Sequence, residues 1–433
     1  MVRDTLLLLL VLSSLAACGS RSDLDVFGAP TAAQGGGGSS PTGGSTSSGG
    51  GQEPGCDALL LVEPVIAAPT PEIARAPAIG LLPPDNDVFL AFIEALPETP
   101  GVLRAGRFDP FVTWPPLDLF ALVELDTDVL EYVVGPGFAG PVALLRHGAG
   151  EPSFLATTFF PQIEGIPLGA GNDRVLFATA IPDRYLAAQV TETPSYDVLH
   201  VGSYQPSSLP QSEDPLVCIT SRVLGAAVPS GSGFLAAFVE PPAPACDVQS
   251  PLPGTVVSLM RYDAPSAPGS FLGRKQGERL VEVEPIAHLH LAPASFGAWL
   301  VFQTDGSTSR VQPPILATRV NEKAQPVTPG EAPVAVSPAG VTFGPVAVAA
   351  LGDALAVAWV ESLDPSAPTI VIRIVQPDGA LGPETSIPTN EAWQSGHVRM
   401  QASADRRSLL VAWDAGFDDA RIGLARIDCA GGR

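Results

Sequence analysis

Residues 352–361 read GDALAVAWVE, and this stretch decides the fold. Turn residues lead into an apolar run in which Leu355, Val357 and Trp359 alternate with Ala356, Ala358 and Val360. A strand with one wet face alternates polar and apolar residues, so a strand apolar on both faces is covered on both. Bulky side chains on one face and small ones on the other suit sheets packed face to face.

Six more stretches carry the pattern: 406–415 (RRSLLVAWDA), 231–240 (GSGFLAAFVE), 295–304 (SFGAWLVFQT), 85–94 (DNDVFLAFIE) and, in weaker form, 182–191 (PDRYLAAQVT) and 138–147 (FAGPVALLRH). Each run carries a bulky residue near its end, often followed by an acid. The bulky positions are Phe92, Leu145, Gln189, Phe238, Phe302, Trp359 and Trp413, spaced 44 to 64 residues apart with a mean near 53. In most copies a more variable second run follows, such as TIVIRIV at 369–375, which ends in the turn signal QPDG. A period of this length, holding about four short strands, fits one blade of a β-propeller. Immunoglobulin-like sandwiches need about 100 residues per unit, twice this period. The expected fold is therefore all-β: a propeller of seven blades, each of about four antiparallel strands, with the N-terminal strand (59–65) joining the last blade. The chain resembles the degenerate seven-bladed propellers of bacterial envelope proteins, but lacks a WD40 or kelch signature. Its Trp413-Asp414 dipeptide falls on the wrong strand for the former.

Composition agrees. The chain has 433 residues with 46 prolines, 44 glycines and 6% aromatics, which suits short strands and many turns better than long helices. Forty-five acidic residues against 23 basic ones give a net charge of −22, which argues against nucleic acid as a partner. That charge also repels anionic headgroups.

The N-terminus carries an address. A short start with Arg3 precedes the apolar run 6–12, too short to span a bilayer, and small residues lead to Leu15-Ala16-Ala17-Cys18. This segment resembles the signal and lipobox of bacterial lipoproteins. The resemblance implies cleavage before Cys18, a diacylglyceryl group on its thiol and an acylated amino terminus; Asp4 departs from it by offsetting Arg3. Gly19, where an aspartate signals inner-membrane retention in that family, implies the outer membrane. Three acyl chains exceed what stable anchoring requires. Residues 35–51 contain only Gly, Ser, Thr and Pro, a composition that behaves as flexible coil. The expected organisation is a signal peptide (1–17), a lipidated cysteine with a Gly/Ser-rich tether (18–55) and the propeller (56–433).

With Cys18 lipidated, Cys56, Cys218, Cys246 and Cys429 remain, an even number with three possible connectivities. In a ring whose first strand joins the last repeat, Cys56 meets Cys429, which leaves Cys218–Cys246 as a local bridge.

Motifs for chemistry are sparse. There is no G-x-S-x-G elbow, H-E-x-x-H, P-loop or dinucleotide fingerprint. His288 and His290 could share one strand face as a metal pair, but no third ligand is identifiable, and a solvated or hydrogen-bonded pair is the better reading. The acids of 124–128 and 85–87 read as charged loops near turns, since the calcium-loop glycine is missing. Trp114 and Trp393 either line a ligand surface or pack loops. No catalytic residue, metal ligand or cofactor is assigned. The expected function is a monomeric, membrane-anchored, non-enzymatic envelope lipoprotein that presents propeller loops to a protein, peptide or glycan partner. Two alternatives stand beside it: a propeller hydrolase or lyase acting on extracellular polysaccharide or peptide, and a subunit of outer-membrane assembly.

Overall fold

The computed structural model describes residues 56–66, 74–82, 87–95, 99–111, 114, 123–137, 140–148, 151–160, 163–168, 174–192, 197–205, 212–219, 224–240, 256–263, 273–275, 279–282, 285–306, 311–340, 342–361, 368–389, 397–415 and 421–430. Among these residues the chain is all-β, with 29 strands in six antiparallel sheets. β1 (Ala58–Leu61) and β2 (Val65–Ile66) open it. One sheet holds β3 (Ala74–Leu82), β4 (Asp87–Glu94), β5 (Gly101–Phe108), β6 (Val123–Gly135), β7 (Val142–His147), β8 (Phe154–Thr158) and β9 (Glu164–Pro167). The next holds β10 (Arg174–Ile181), β11 (Arg184–Glu192), β12 (Asp197–Tyr204) and β13 (Ser212–Ile219). A third has β14 (Gly225–Ser230), β15 (Gly233–Glu240) and β16 (Val256–Asp263), with β17 (Gly273–Lys275) and β18 (Arg279–Glu282) both on β16.

The fourth comprises β19 (Ile286–Ala294), β20 (Gly297–Thr304), β21 (Leu316–Asn321) and β22 (Val334–Ala335). The fifth comprises β23 (Thr342–Leu351), β24 (Ala354–Glu361), β25 (Thr369–Val375) and β26 (Leu381–Pro388). The last has β27 (Val398–Ala402), β28 (Ser408–Ala415) and β29 (Arg421–Ala430), and β1 and β2 pair with β29. There Leu59 lies opposite Cys429, and the Cys56–Cys429 disulfide, with Cα atoms 5.1 Å apart, fixes the segment leading into β1 to β29. Cys18, Cys246 and Trp393 lie outside the described residues, and Cys218 contributes backbone to β13.

All seven repeat stretches form strands of one kind: β4, β7, β11, β15, β20, β24 and β28. The bulky residue is the sixth of its strand in all but β7, where Leu145 is the fourth. Each of these strands has a neighbour on both sides within its sheet and apolar layers above and below. In β24, Leu355, Val357 and Trp359 face the preceding sheet through Trp299 and Val301, while Ala356, Ala358 and Val360 face the following one through Val398 and Met400. The two-residue turn before β24 needs a left-handed residue, which Gly352 supplies at φ 67°. The carboxylate of Asp353 beside it accepts Ser295 N–H (2.7 Å) and Oγ (2.6 Å), and its carbonyl accepts Trp299 Nε1 (2.9 Å), tying one sheet's turn to the next.

The repeat predicts seven separate sheets, and the described residues show six. The difference lies in β6, whose 13 residues serve two partners: its first half pairs with β5 and its second with β7. At the changeover Asp128 adopts φ 61° and the register slips between Val129 and Glu131. The sheet thereby folds on itself, and Phe89, Ala91 and Leu103 pack against Ala143, Leu145 and Ala156. This also corrects the reading of 124–128 as a loop near a turn, because these acids stand within β6. Asp126 there holds His147, whose ring bonds Asp126 Oδ2 through Nε2 (2.9 Å) and the Pro152 carbonyl through Nδ1 (3.2 Å). Both partners favour the doubly protonated ring, and the bond to Asp126 pushes its pKa up.

One repeat position departs from the pattern. Gln189 is buried, and its amide Nε2 has no hydrogen-bond partner. It shares a strand face with Ala187, which packs against Val142 and Leu144 of the preceding sheet. An unpaired buried amide costs more than the same volume of hydrocarbon. Gln189→Leu is therefore expected to stabilise the protein by about 1–2 kcal/mol, read as a higher urea midpoint at unchanged slope.

Candidate functional site

The first strand of each sheet is an edge strand, and these edges touch one another in turn: β10 with β14, β14 with β19, β19 with β23, β23 with β27, and β27 with β3. The second half of β6 stands between β3 and β10. Its backbone comes so close to β10 that a Cβ on Gly135 would lie 1.8 Å from the Ala178 carbonyl oxygen, hence the glycine.

These edge strands carry few ionisable side chains, and they carry them at one end. Arg75, Glu131, Arg174, His288, His290 and Arg399 all fall within the first five residues of their strands, counting β6 from Val129, where pairing with β7 begins. The trailing parts, such as VAVAAL of β23 and LAPA of β19, carry none. The charges feel one another: Arg75 lies in the fields of Asp414, Tyr132 and Glu131, Arg399 in those of Tyr132 and Asp414, and His290 in those of His288 and Arg399. They form one cluster.

Its anchor is a bulge in β3, where the register with β4 slips between Arg75 and Ala78. Ala76 adopts φ 54°, a conformation that costs a non-glycine residue about 1 kcal/mol or more. Two side chains hold it there. Asp414 Oδ1 accepts the Ala76 N–H at 3.0 Å, and Tyr132 Oη donates to the Ala76 carbonyl at 2.6 Å. Both side chains are buried, and burial pushes the Tyr132 phenol up, so it remains a donor. Asp414 Oδ2 also meets His397 Nδ1 at 2.7 Å.

Burial lowers the pKa of Arg399 and of Arg75, the latter opposed by Asp414, Tyr132 and Glu131. Burial first, then His288 and Arg399, push His290 down to about 3, so its imidazole is neutral. Glu131 is raised by burial against the pull of Arg146, the Val175 N–H and Arg174.

The structure brings His288 and His290 onto this cluster but, among the described residues, brings no group of three metal-ligating side chains together. Trp114 packs beside Phe108 and Leu424 and donates its Nε1 to the Glu63 carbonyl (2.8 Å), so it packs loops. Sequence reasoning missed Arg75, Glu131, Tyr132, Arg399 and Asp414. Asp414 had a signal: in 352–361, 231–240 and 85–94 the acid stands two residues after the bulky one, whereas Asp414 is adjacent to Trp413 and so points to the opposite face.

The fold and this cluster define an all-β protein of successive face-packed sheets with a polar cluster on its edge strands. No family model and no curated protein matches the chain. Solved structures do. A protein of unknown function from Dyadobacter fermentans is similar at 14% identity and TM-score 0.47, over 86% of this chain and 99% of that one. The GH93 α-L-arabinofuranosidase of Fusarium graminearum is similar at 8% identity and TM-score 0.44, over 85% and 98%. YCF48 from Cyanidioschyzon merolae is similar at 14% and 0.44, over 86% and 98%. These neighbours are propeller-like all-β folds.

Proposed function

We propose that this chain is a bacterial envelope lipoprotein, anchored in the outer membrane through Cys18, whose closed seven-bladed propeller binds a ligand at one mouth of its channel. Seven repeat strands support the blade count, with β6 serving as outer strand of one blade and inner strand of the next. Apolar packing between successive layers supports closure. Its last link sets Leu410, Ala412, Ile422 and Leu424 of the final sheet against Val88, Leu90 and Phe92 of the first. Cys218–Cys246 completes the proposed disulfide set.

The observation that carries the binding role is the confinement of ionisable side chains to the leading ends of the edge strands. A purely structural channel has no reason to gather guanidinium, imidazole and carboxyl groups at one rim, where each loses hydration. The protein acts as a monomeric, non-enzymatic receptor for an envelope protein, peptide or glycan. A hydrolase or lyase is the second reading, favoured by Glu131, whose carboxyl burial raises, the direction in which a general acid is tuned.

One ligand screen tests both. Full-length protein in detergent is surveyed against envelope glycans and peptides by thermal shift, beside the Arg399→Ala/His290→Ala variant, and hits are assayed for cleavage. A ligand held at the rim raises the melting temperature of the native protein alone. Hits that stabilise both forms equally would place binding elsewhere. Cleavage abolished by Glu131→Gln would replace the receptor reading with the enzyme.

A further inference from the structure

We infer that the group recognised at this rim is a monoanionic oxyanion of the ligand, a carboxylate or a sulfate ester, received by Arg399 and Arg75. The inference rests on the rim being the binding site and adds its chemistry.

The chain has nearly two acids for every base, 45 against 23. Its arginines accordingly find carboxylates: Arg104, Arg146, Arg261, Arg319, Arg373 and Arg426 each stand within salt-bridge reach of one. Arg399 and Arg75 do not pair in this way with any described residue. Among the described residues Arg399 donates from Nη1 to the carbonyl of its neighbour Val398 (3.0 Å). Arg75 gives Nη2 to the carbonyls of Thr99 (2.8 Å) and Leu130 (3.4 Å), and its buried Nε has no partner. Asp414 lies nearby, but its oxygens are engaged by the Ala76 N–H and His397. The buried Nε2 of His290 is also without a partner, and a neutral imidazole can donate from that atom.

Planar guanidinium groups match planar oxyanions and hold them most strongly where water is scarce. The charge of the ligand follows from the balance. Arg146 already stands beside Glu131, at 3.6 Å, whereas Arg75 and Arg399 both lie in the field of the single carboxylate of Asp414. Two guanidiniums against one carboxylate leave one positive charge, which one negative charge on the ligand balances. A phosphate monoester carries a second, which meets Asp414.

The test uses one sugar ring with four substituents: glucose, glucuronate, glucose 6-sulfate and glucose 6-phosphate. Affinities are measured by ligand-observed NMR on the full-length protein in detergent. Glucuronate or glucose 6-sulfate should bind more tightly than glucose and glucose 6-phosphate, and the comparison of the two separates carboxylate from sulfate. Their affinity should fall with added salt and drop about 10- to 100-fold in Arg399→Ala. Arg399→Gln, which keeps a donor for the Val398 carbonyl, guards against a folding defect and should lose the same preference. Glucose bound as tightly as glucuronate, and lost in Arg399→Ala, would keep the rim as the site and overturn its anionic chemistry. Preference for glucose 6-phosphate would overturn the charge argument. Binding of none of the four would overturn the inference, while the reading beneath it stands or falls on the rim-dependent hits of the wider screen.

Discussion

Trp359→Ala is expected to destabilise the protein by about 3–5 kcal/mol, the range for removing a large aromatic from a close-packed core. Trp359 is fully buried between the fourth and fifth sheets, among Trp299, Val301, Val346 and Val371. It lies on a strand paired on both sides, so neighbouring backbone cannot collapse into the vacated space. The Arg373 guanidinium, 5.8 Å from the ring centre, also loses its aromatic face. Trp359→Phe should cost far less, because the indole Nε1 is buried without a partner and phenylalanine removes it. Trp299→Phe is the contrasting case: its Nε1 bonds the Asp353 carbonyl at 2.9 Å, and the change leaves that oxygen unpaired. Urea titrations of the three variants should therefore rank Trp359→Ala as most damaging, then Trp299→Phe, then Trp359→Phe. A Trp359→Phe midpoint below that of Trp299→Phe would contradict the account of the orphan N–H.

The same residues show why some of the fold was legible and most of the site was not. A strand sandwiched between two strands and two apolar layers has every side chain constrained, so its run of six apolar residues survives even where loops differ in length. Gln189 shows the limit: the position is recognisable by spacing, though its chemistry departs from the pattern. The double use of β6 left no mark, because a change of partner within one strand alters register without altering composition. The edge strands are governed by something else. They meet one another as well as the core, so ARAPAIGLL of β3 shows neither alternation nor an unbroken apolar run, and VRMQA of β27 alternates as any strand with one core-facing side would, with nothing to mark Arg399. Residues from β3, β6, β10, β19, β27 and β28 assemble the cluster, and that convergence is a property of topology alone. Where one strand did carry a clue, in His288 and His290, the sequence suggested a metal pair and favoured a solvated or hydrogen-bonded one, whereas His290 is buried with its Nε2 unpartnered. The structure gives a neutral imidazole beside a guanidinium.

Cys56→Ser/Cys429→Ser should lower stability by about 3–5 kcal/mol. The two cysteines are 373 residues apart, and cross-linking so long a loop removes about 5–6 kcal/mol of chain entropy from the unfolded state on the loop-closure model, before any residual structure is discounted. The native contacts that hold the first strand without the bridge are modest. β1 contributes four residues and β2 two, and Leu60 of β1 is more than half exposed at 56%. Loss of the bridge should therefore act twice. Globally, the unfolded chain expands, so the urea slope rises as the midpoint falls. Locally, the first strand frays before the rest, and the amides of Asp57 and Val62, which bond Ala430 and Arg426 at 3.1 and 2.9 Å, should lose hydrogen-exchange protection earliest. Reductant added to the double variant then isolates the proposed Cys218–Cys246 bridge: a further fall in midpoint reports it, and no change refutes it. An unaltered midpoint and slope in the double variant would mean that packing between the last and first sheets holds the ends together unaided.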